Sequence, residues 1–193
     1  STRDQTDMNE KQQGRYAART ARNERKNYSD GRVCEPIDKM IEQQSWLCPI
    51  ELRYGARAYY TRLHDRVVCP LKEQFPKGEA FYGTLLHEIA HSTGHAERLN
   101  RMMGVCFGDN QYAREELVAE LTSALCGAIT GFATTPREEN AAYLKEWLSE
   151  LHRKPSYLFD ILVDVNRAAR MIFDHLEPGT DEIAEEGAEA PAA

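Results

Sequence analysis

The sequence His87-Glu88-Ile89-Ala90-His91 places two imidazoles and a carboxylate in an H-E-x-x-H pattern. In an α-helix, residues four positions apart share one face, so the two histidines can hold a single metal ion. Glu88 is turned about 100° around the helix axis from His87, where it reaches a metal-bound water without ligating the metal. We therefore predict a Zn²⁺ site, with Mn²⁺ as the alternative metal, in which Glu88 is the general base.

The alternative interpretation of this motif is a solvent-exposed helix face that carries two histidines. The helix predicted over 79–93, with Gly94 as its C-terminal stop, argues against it. Buried histidines need partners, and a metal ion would provide one. The flanking residues that make this helix mostly apolar are Phe81, Leu85, Leu86, Ile89 and Ala90.

A catalytic zinc site needs a third protein ligand, and the apolar helix predicted over 111–130 offers two carboxylates on one face. We predict Glu116 as the metal ligand and Glu120 as an outer carboxylate that holds the second ring nitrogen of a histidine. This arrangement is similar to that of gluzincins. Glu115 falls on a different face and is predicted to be solvated. The alternative for all three acids is the charged face of an amphipathic helix.

Other candidate side chains follow the motif more closely. Glu97 stands where metzincins place a third histidine, and because the residue differs we do not predict a metzincin site. His95 would reach the metal only if the helix broke sharply at Gly94. We predict instead that His95 lines the cleft and contacts the substrate or an oxyanion, and Tyr143 is a second candidate for an oxyanion contact.

The elements around these residues indicate an α+β fold. Runs rich in β-branched and aromatic residues at 50–61 and 66–69 predict a small antiparallel sheet that packs on the motif helix. Pro36 opens a short helix before the sheet, and further helices are predicted at about 136–152 and 155–176. A small sheet followed by helices is typical of α+β domains.

Composition and charge divide the 193 residues into three parts. We predict a basic arm or helix over 1–35, a domain over 36–176 that contains the H-E-x-x-H motif and is expected to be a zincin-like metallopeptidase, and a disordered acidic tail over 177–193. The net charge of −7 argues against a protein that binds nucleic acid over its whole surface. The basic segment 11–28 is left as a candidate contact for single-stranded DNA, with a solvated helix or linker as the alternative.

The cysteines and the hydropathy exclude several other classes of protein. None of the five cysteines forms a C-x-x-C pair, which excludes a thiolate zinc knuckle and a thioredoxin-type motif. The most apolar stretch, 121–133, is too short to span a bilayer. The cysteine pattern therefore favours a cytoplasmic protein, and the short apolar stretch argues against a membrane partner. From the H-E-x-x-H motif we expect a peptide or protein substrate.

Six blocks of the sequence occur in the order found in a known protein family. They are AYYT at 58–61, GTLLHEIAHSTGH at 83–95, RLNR at 98–101, FGD at 107–109, YAREELVAEL at 112–121 and ENAAYLKEWL at 139–148. These blocks resemble the C-terminal metallopeptidase domain of the ArdC/TraC antirestriction family, over about residues 37–175. The resemblance implies a zincin fold, a metal bound by His87, His91 and a glutamate of the EELVAE segment, and an origin in a plasmid, phage or other mobile element.

In ArdC-type proteins an N-terminal domain is associated with single-stranded DNA. Only about 35 residues precede the shared region here, so we expect that domain to be missing and do not transfer DNA binding from the family. The leading hypothesis is a zinc metallopeptidase. One alternative is an antirestriction or DNA-protection module with a structural metal. The other is a regulatory protease that cuts one dedicated partner, as ImmA/IrrE-type zincins are thought to do.

Overall fold

The computed structural model describes residues 33–102, 110–132 and 156–176. Residues 1–32 of the arm predicted over 1–35, the helix predicted at 136–152 and the tail at 177–193 lie outside these ranges. The described chain is α+β, as predicted. Its elements in order are α1 (Glu35–Gln43), β1 (Ile50–Arg53), β2 (Tyr59–Thr61), β3 (Arg66–Pro70), a 3₁₀ turn (Lys72–Gln74), α2 (Gly78–Thr93), α3 (Asn110–Ile129) and α4 (Ser156–Phe173).

The sheet is mixed, and the prediction of an antiparallel meander is wrong in this respect. Strand β3 lies in the centre, antiparallel to β2 and parallel to β1. The chain at 54–58 crosses from one edge of the sheet to the other. The side chain of Gln74 holds this crossing, because it accepts the Gly55 N–H at 3.1 Å and donates to the Gly55 carbonyl at 2.8 Å. Local strand propensity carries no information about such a contact from 19 residues downstream.

Helix α1 starts as its sequence predicts and leads directly into the sheet. Pro36 lies in its first turn, where a missing N–H costs nothing. The helix ends at Gln44, whose backbone is left-handed with φ of 51°. The Gln44 side chain exchanges two hydrogen bonds of 3.1 Å with the backbone of Ile50. It thereby fixes the start of β1 relative to the helix.

Helix α2 carries the H-E-x-x-H motif and is the most deeply buried of the described helices. It packs on β2 and β3 and on α3 and α4. Each large apolar side chain that it buries is worth about 1.5–3 kcal/mol relative to exposure, so the motif rests on a strongly anchored helix. The predicted flanking residues Phe81, Leu85, Leu86, Ile89 and Ala90 are all fully buried, and the helix ends before Gly94 as expected.

Helices α3 and α4 close the other side of α2. The Ser123 hydroxyl of α3 donates to the Gly83 carbonyl of α2 at 3.0 Å. Arg114 of α3 binds Asp164 of α4 at 2.7 Å. The first contact ties α3 to α2 and the second ties α3 to α4, and the glutamates in the first half of α3 face the motif. Within the described ranges, the helices lack the combination of length and apolar character needed to cross a bilayer.

Candidate metal centre

Three side chains from two helices meet at one point. The Nε2 atoms of His87 and His91 on α2 are 3.0 Å apart. Glu116 of α3 lies with Oε2 3.4 Å from the first of these nitrogens and Oε1 3.4 Å from the second. Ligands of a tetrahedral zinc ion with bonds of about 2.0–2.2 Å would be separated by about 3.3–3.6 Å, so the spacing is close to that of a site for one ion. Among the described residues, these three form the group of potential metal ligands.

A second pair of carboxylates lies behind the histidine rings. The Nδ1 atom of His87 is 3.4 Å from Oε1 of Glu120, and the Nδ1 atom of His91 is 3.3 Å from Oε1 of Glu115. Glu120 is where the sequence led us to expect an outer carboxylate. Glu115 contradicts its prediction, because it is only 3% exposed. The helical spacing of the acids gave no sign that a side chain from another segment covers this face.

That covering side chain is Arg101, which lies in the loop after α2 and is buried. Its Nε and Nη2 atoms donate to the two carboxylate oxygens of Glu115 at 2.9 and 2.7 Å. It also donates to the Thr93 hydroxyl at 2.7 Å and to the Ala90 carbonyl at 2.9 Å. Gly94 makes room for the guanidinium, since a Cβ there would lie 3.1 Å from Nη2. Glycine is needed here for close approach rather than for a left-handed backbone, because its φ is −80°.

The charges in this cluster influence one another strongly. Burial opposes ionisation of Glu115 and Glu116, but hydrogen bonds from Arg101 and the histidines outweigh it and lower the pKa of both carboxyls. Burial also disfavours charged His91, yet hydrogen bonds to Glu115 and Glu116 raise its pKa to about 10. Metal ligation requires neutral histidines, and in that state four carboxylates and one guanidinium give a net charge of −3, which a divalent cation would largely offset. The four carboxylates are those of Glu88, Glu115, Glu116 and Glu120.

Glu88 points from α2 towards the sheet rather than towards α3. It is 3% exposed, and its Oε2 accepts the backbone N–H of Tyr60 at 2.9 Å. Tyr60 lies in β2, an edge strand, and this N–H faces away from β3. The bond fixes the carboxylate on the sheet side of α2, and Glu88 is not one of the three potential ligand groups.

Arg98 forms hydrogen bonds that stabilise the part of the sheet that contacts Glu88. It donates to the Ser92 carbonyl at 2.7 Å, to Asp65 Oδ2 at 3.1 Å and to the Tyr60 hydroxyl at 3.3 Å. The Tyr60 hydroxyl in turn donates to Asp65 Oδ1 at 2.8 Å. Burial opposes ionisation of Asp65, but the hydrogen bonds from Arg98 and Tyr60 outweigh it and lower the pKa of this carboxyl. Arg98 thereby ties the β2–β3 turn to the end of α2.

The other sequence candidates lie apart from the three ligand groups. His95 is in the turn after α2, and its Nδ1 accepts the backbone N–H of Glu97 at 3.2 Å. The Glu97 side chain is exposed. Neither residue belongs to the potential ligand group of the described chain. Tyr143 lies outside the described residues.

Known proteins share this domain. The zincin-like metallopeptidase family MPTase-PolyVal matches residues 36–161. The chain is 38% identical over 113 residues to the DNA primase TraC of Escherichia coli, covering 58% of this chain and 8% of the primase. It is 34% identical over 128 residues to the uncharacterized protein y4eC of Sinorhizobium fredii, covering 64% of this chain and 42% of that protein. The aligned part is therefore less than half of each curated relative.

Solved structures give the same fold. The antirestriction protein ArdC of plasmid R388, in its Mn(II)-bound form, superposes with a TM-score of 0.63 at 28% identity, covering 72% of this chain and 52% of ArdC. Its metal-free form gives 0.62 at 29% identity, covering 72% and 50%. The resemblance to the ArdC/TraC family is thus confirmed. Because the family match covers well over half of the sequence, the chain belongs to the zincin-like metallopeptidase family MPTase-PolyVal, with an ArdC-like domain.

Proposed function

We propose that this protein is a zinc-dependent metallopeptidase whose metal is held by His87, His91 and Glu116. The observation that carries the proposal is the 3.0–3.4 Å separation of their donor atoms, with Glu88 buried on the same helix. Two imidazoles and a carboxylate suit zinc, and three protein ligands leave a position for water. Mn²⁺ is the alternative metal, because the similar ArdC has a Mn(II)-bound structure.

Each part of the proposed site has a separate role in peptide hydrolysis. A bound Zn²⁺ would supply Lewis-acid polarisation of the scissile carbonyl and acidify a coordinated water. Glu88 would accept a proton from the attacking water and pass it to the leaving amine. The Tyr60 N–H, bonded to Oε2, sets the orientation of that carboxylate. The substrate we propose is an extended peptide that pairs with the edge of β2.

The substitution Glu88→Gln tests this assignment. It keeps an oxygen that can accept the Tyr60 N–H but removes the base, so we expect hydrolysis of a fluorogenic peptide library to fall by about 10²–10⁴-fold. The metal content should stay unchanged. Glu42→Gln, an exposed position on α1, is the matched control and should keep the original rate. Equal cleavage by Glu88→Gln and the unmodified protein would refute the role of Glu88.

The second candidate is a DNA-protection module in which the metal is structural and proteolysis is incidental. The likeness to an antirestriction protein and to a DNA primase favours it, as it favours an origin on a mobile element such as the plasmid that encodes ArdC. The proposed contact is the basic segment 11–28. Binding of a single-stranded oligonucleotide that weakens steeply with salt, in both the unmodified protein and Glu88→Gln, supports this candidate. Absence of binding at low salt contradicts it.

A further inference from the structure

His91 is backed by a buried ion pair that takes no part in the proposed hydrolysis. The carboxylate of Glu115 lies 3.3 Å from the ring nitrogen that faces away from Glu116. Arg101 holds both oxygens of that carboxylate, because Nε donates to Oε2 and Nη2 donates to Oε1, the oxygen that also contacts His91. Both side chains are almost completely shielded from water, at 2–4% exposure. A buried pair of this quality restricts the positions that either partner can take.

Arg101 is hydrogen-bonded to α2, the helix that carries His91. Its guanidinium donates to the Ala90 carbonyl and to the Thr93 hydroxyl, one residue before and two residues after the histidine. The carboxylate comes from α3, so the pair ties a side chain of α3 to the backbone of α2. The imidazole is thereby held between Glu115 on one ring nitrogen and Glu116 on the other.

We propose that Glu115, held in place by Arg101, is a positioning residue that fixes the ring of His91 for metal binding. This inference rests on the metal site proposed above. An ionised carboxylate at Nδ1 accepts a hydrogen bond from the Nδ1–H group, which keeps the ring proton on Nδ1 and leaves the Nε2 lone pair free for the metal. The same contact stops rotation of the ring, so the lone pair is already aligned before the metal arrives.

The test compares Glu115→Gln with Ser123→Ala. Both positions are buried on α3 and both contribute a hydrogen bond across the α2–α3 interface, but only Glu115 touches a histidine of the site. The probes are Zn²⁺, measured by competition with a chromogenic chelator, and Co²⁺, measured by its visible absorption spectrum. We expect Glu115→Gln to raise the dissociation constant for Zn²⁺ by about 10–100-fold and to shift the Co²⁺ bands. Ser123→Ala should keep the original affinity and spectrum.

Each other outcome overturns the inference in a distinguishable way. An unchanged affinity and Co²⁺ spectrum in Glu115→Gln removes the positioning role and leaves the metal site intact. Absence of Zn²⁺ binding by the unmodified protein overturns the proposed function and this inference together. If Glu115→Gln does not fold, Arg101→Lys takes its place, because it keeps the charge but loses the two-point contact. A folded Arg101→Lys protein with the original Zn²⁺ affinity also overturns the proposal.

Discussion

The two motif histidines do not determine which residue is the third ligand of the metal, because carboxylates lie both in the following turn and on the next helix. In the structure, Glu97 of the turn is exposed, whereas both carboxylate oxygens of Glu116 lie 3.4 Å from motif nitrogens. The low pKa of Glu116 keeps it ionised, as a metal ligand must be. At the scale of residues, geometry and charge both favour Glu116.

Glu116→Gln and Glu97→Gln form a matched pair that tests this choice by zinc affinity. Losing an outer partner of a ligand weakens a metal site by as much as about 100-fold, and loss of a ligand itself should cost at least that much. We therefore expect Glu116→Gln to weaken Zn²⁺ binding by at least about 100-fold in a chelator competition. Glu97→Gln should bind as the unmodified protein does. The reverse order of affinities would make Glu97 the ligand.

The sequence predicted the relative positions of side chains when the residues concerned lie on the same helix. Spacing of i and i+4 predicted which two histidines would face one point, and the structure brings their Nε2 atoms to 3.0 Å. It failed at Glu115, whose burial depends on Arg101, 14 residues earlier and across a loop. Helical periodicity describes the face of a residue, not the segment that comes to cover it.

At the scale of elements, the end of α2 is shaped by one close contact. Gly94→Ala would bring a Cβ to 3.1 Å from Nη2 of Arg101 and 3.2 Å from the His91 carbonyl. Such overpacking costs about 1–3 kcal/mol of unfolding free energy, measured by urea denaturation. Gly55→Ala is the control, since a Cβ there would lie 4.0 Å from the nearest atom beyond the adjacent residues. Equal stability of the two variants would show that the guanidinium is not tightly held.

The turn between β2 and β3 makes the stability depend on pH. The pKa of Asp65 in the folded protein lies below its ordinary value of 3.8 because of Arg98 and Tyr60. The carboxylate therefore adds stability above about pH 4, and this contribution is lost as the pH falls through the lowered folded-state pKa. We expect Asp65→Asn to lose about 1–2 kcal/mol near pH 7 and to match the unmodified protein near pH 2, in urea denaturation. A pH-independent difference would contradict this.

Helix positions were predictable from the sequence, but strand pairing was not. The helices predicted over 79–93 and 111–130 correspond to Gly78–Thr93 and Asn110–Ile129, because the 3.6-residue apolar period is local. The parallel pairing of β1 with β3 depends on the crossing at 54–58 and on its contact with Gln74. Such a contact forms only once distant segments have come together.

At the scale of the whole molecule, no single element contains the proposed site. Two ligands come from α2, the third comes from α3, and the candidate base is held by the sheet. The family match over 36–161 spans all of these elements. Since a site of this kind exists only when the chain is folded, metal binding reports on the assembled domain.

The most direct test of the central claim is the metal content of the purified protein, determined by mass spectrometry beside His87→Ala and Glu116→Ala. We expect about one zinc ion per chain in the unmodified protein and loss of that ion in both variants. Circular dichroism spectra of the variants serve as the control that each variant is folded. A protein without bound metal, or variants that retain it in full, would contradict the account.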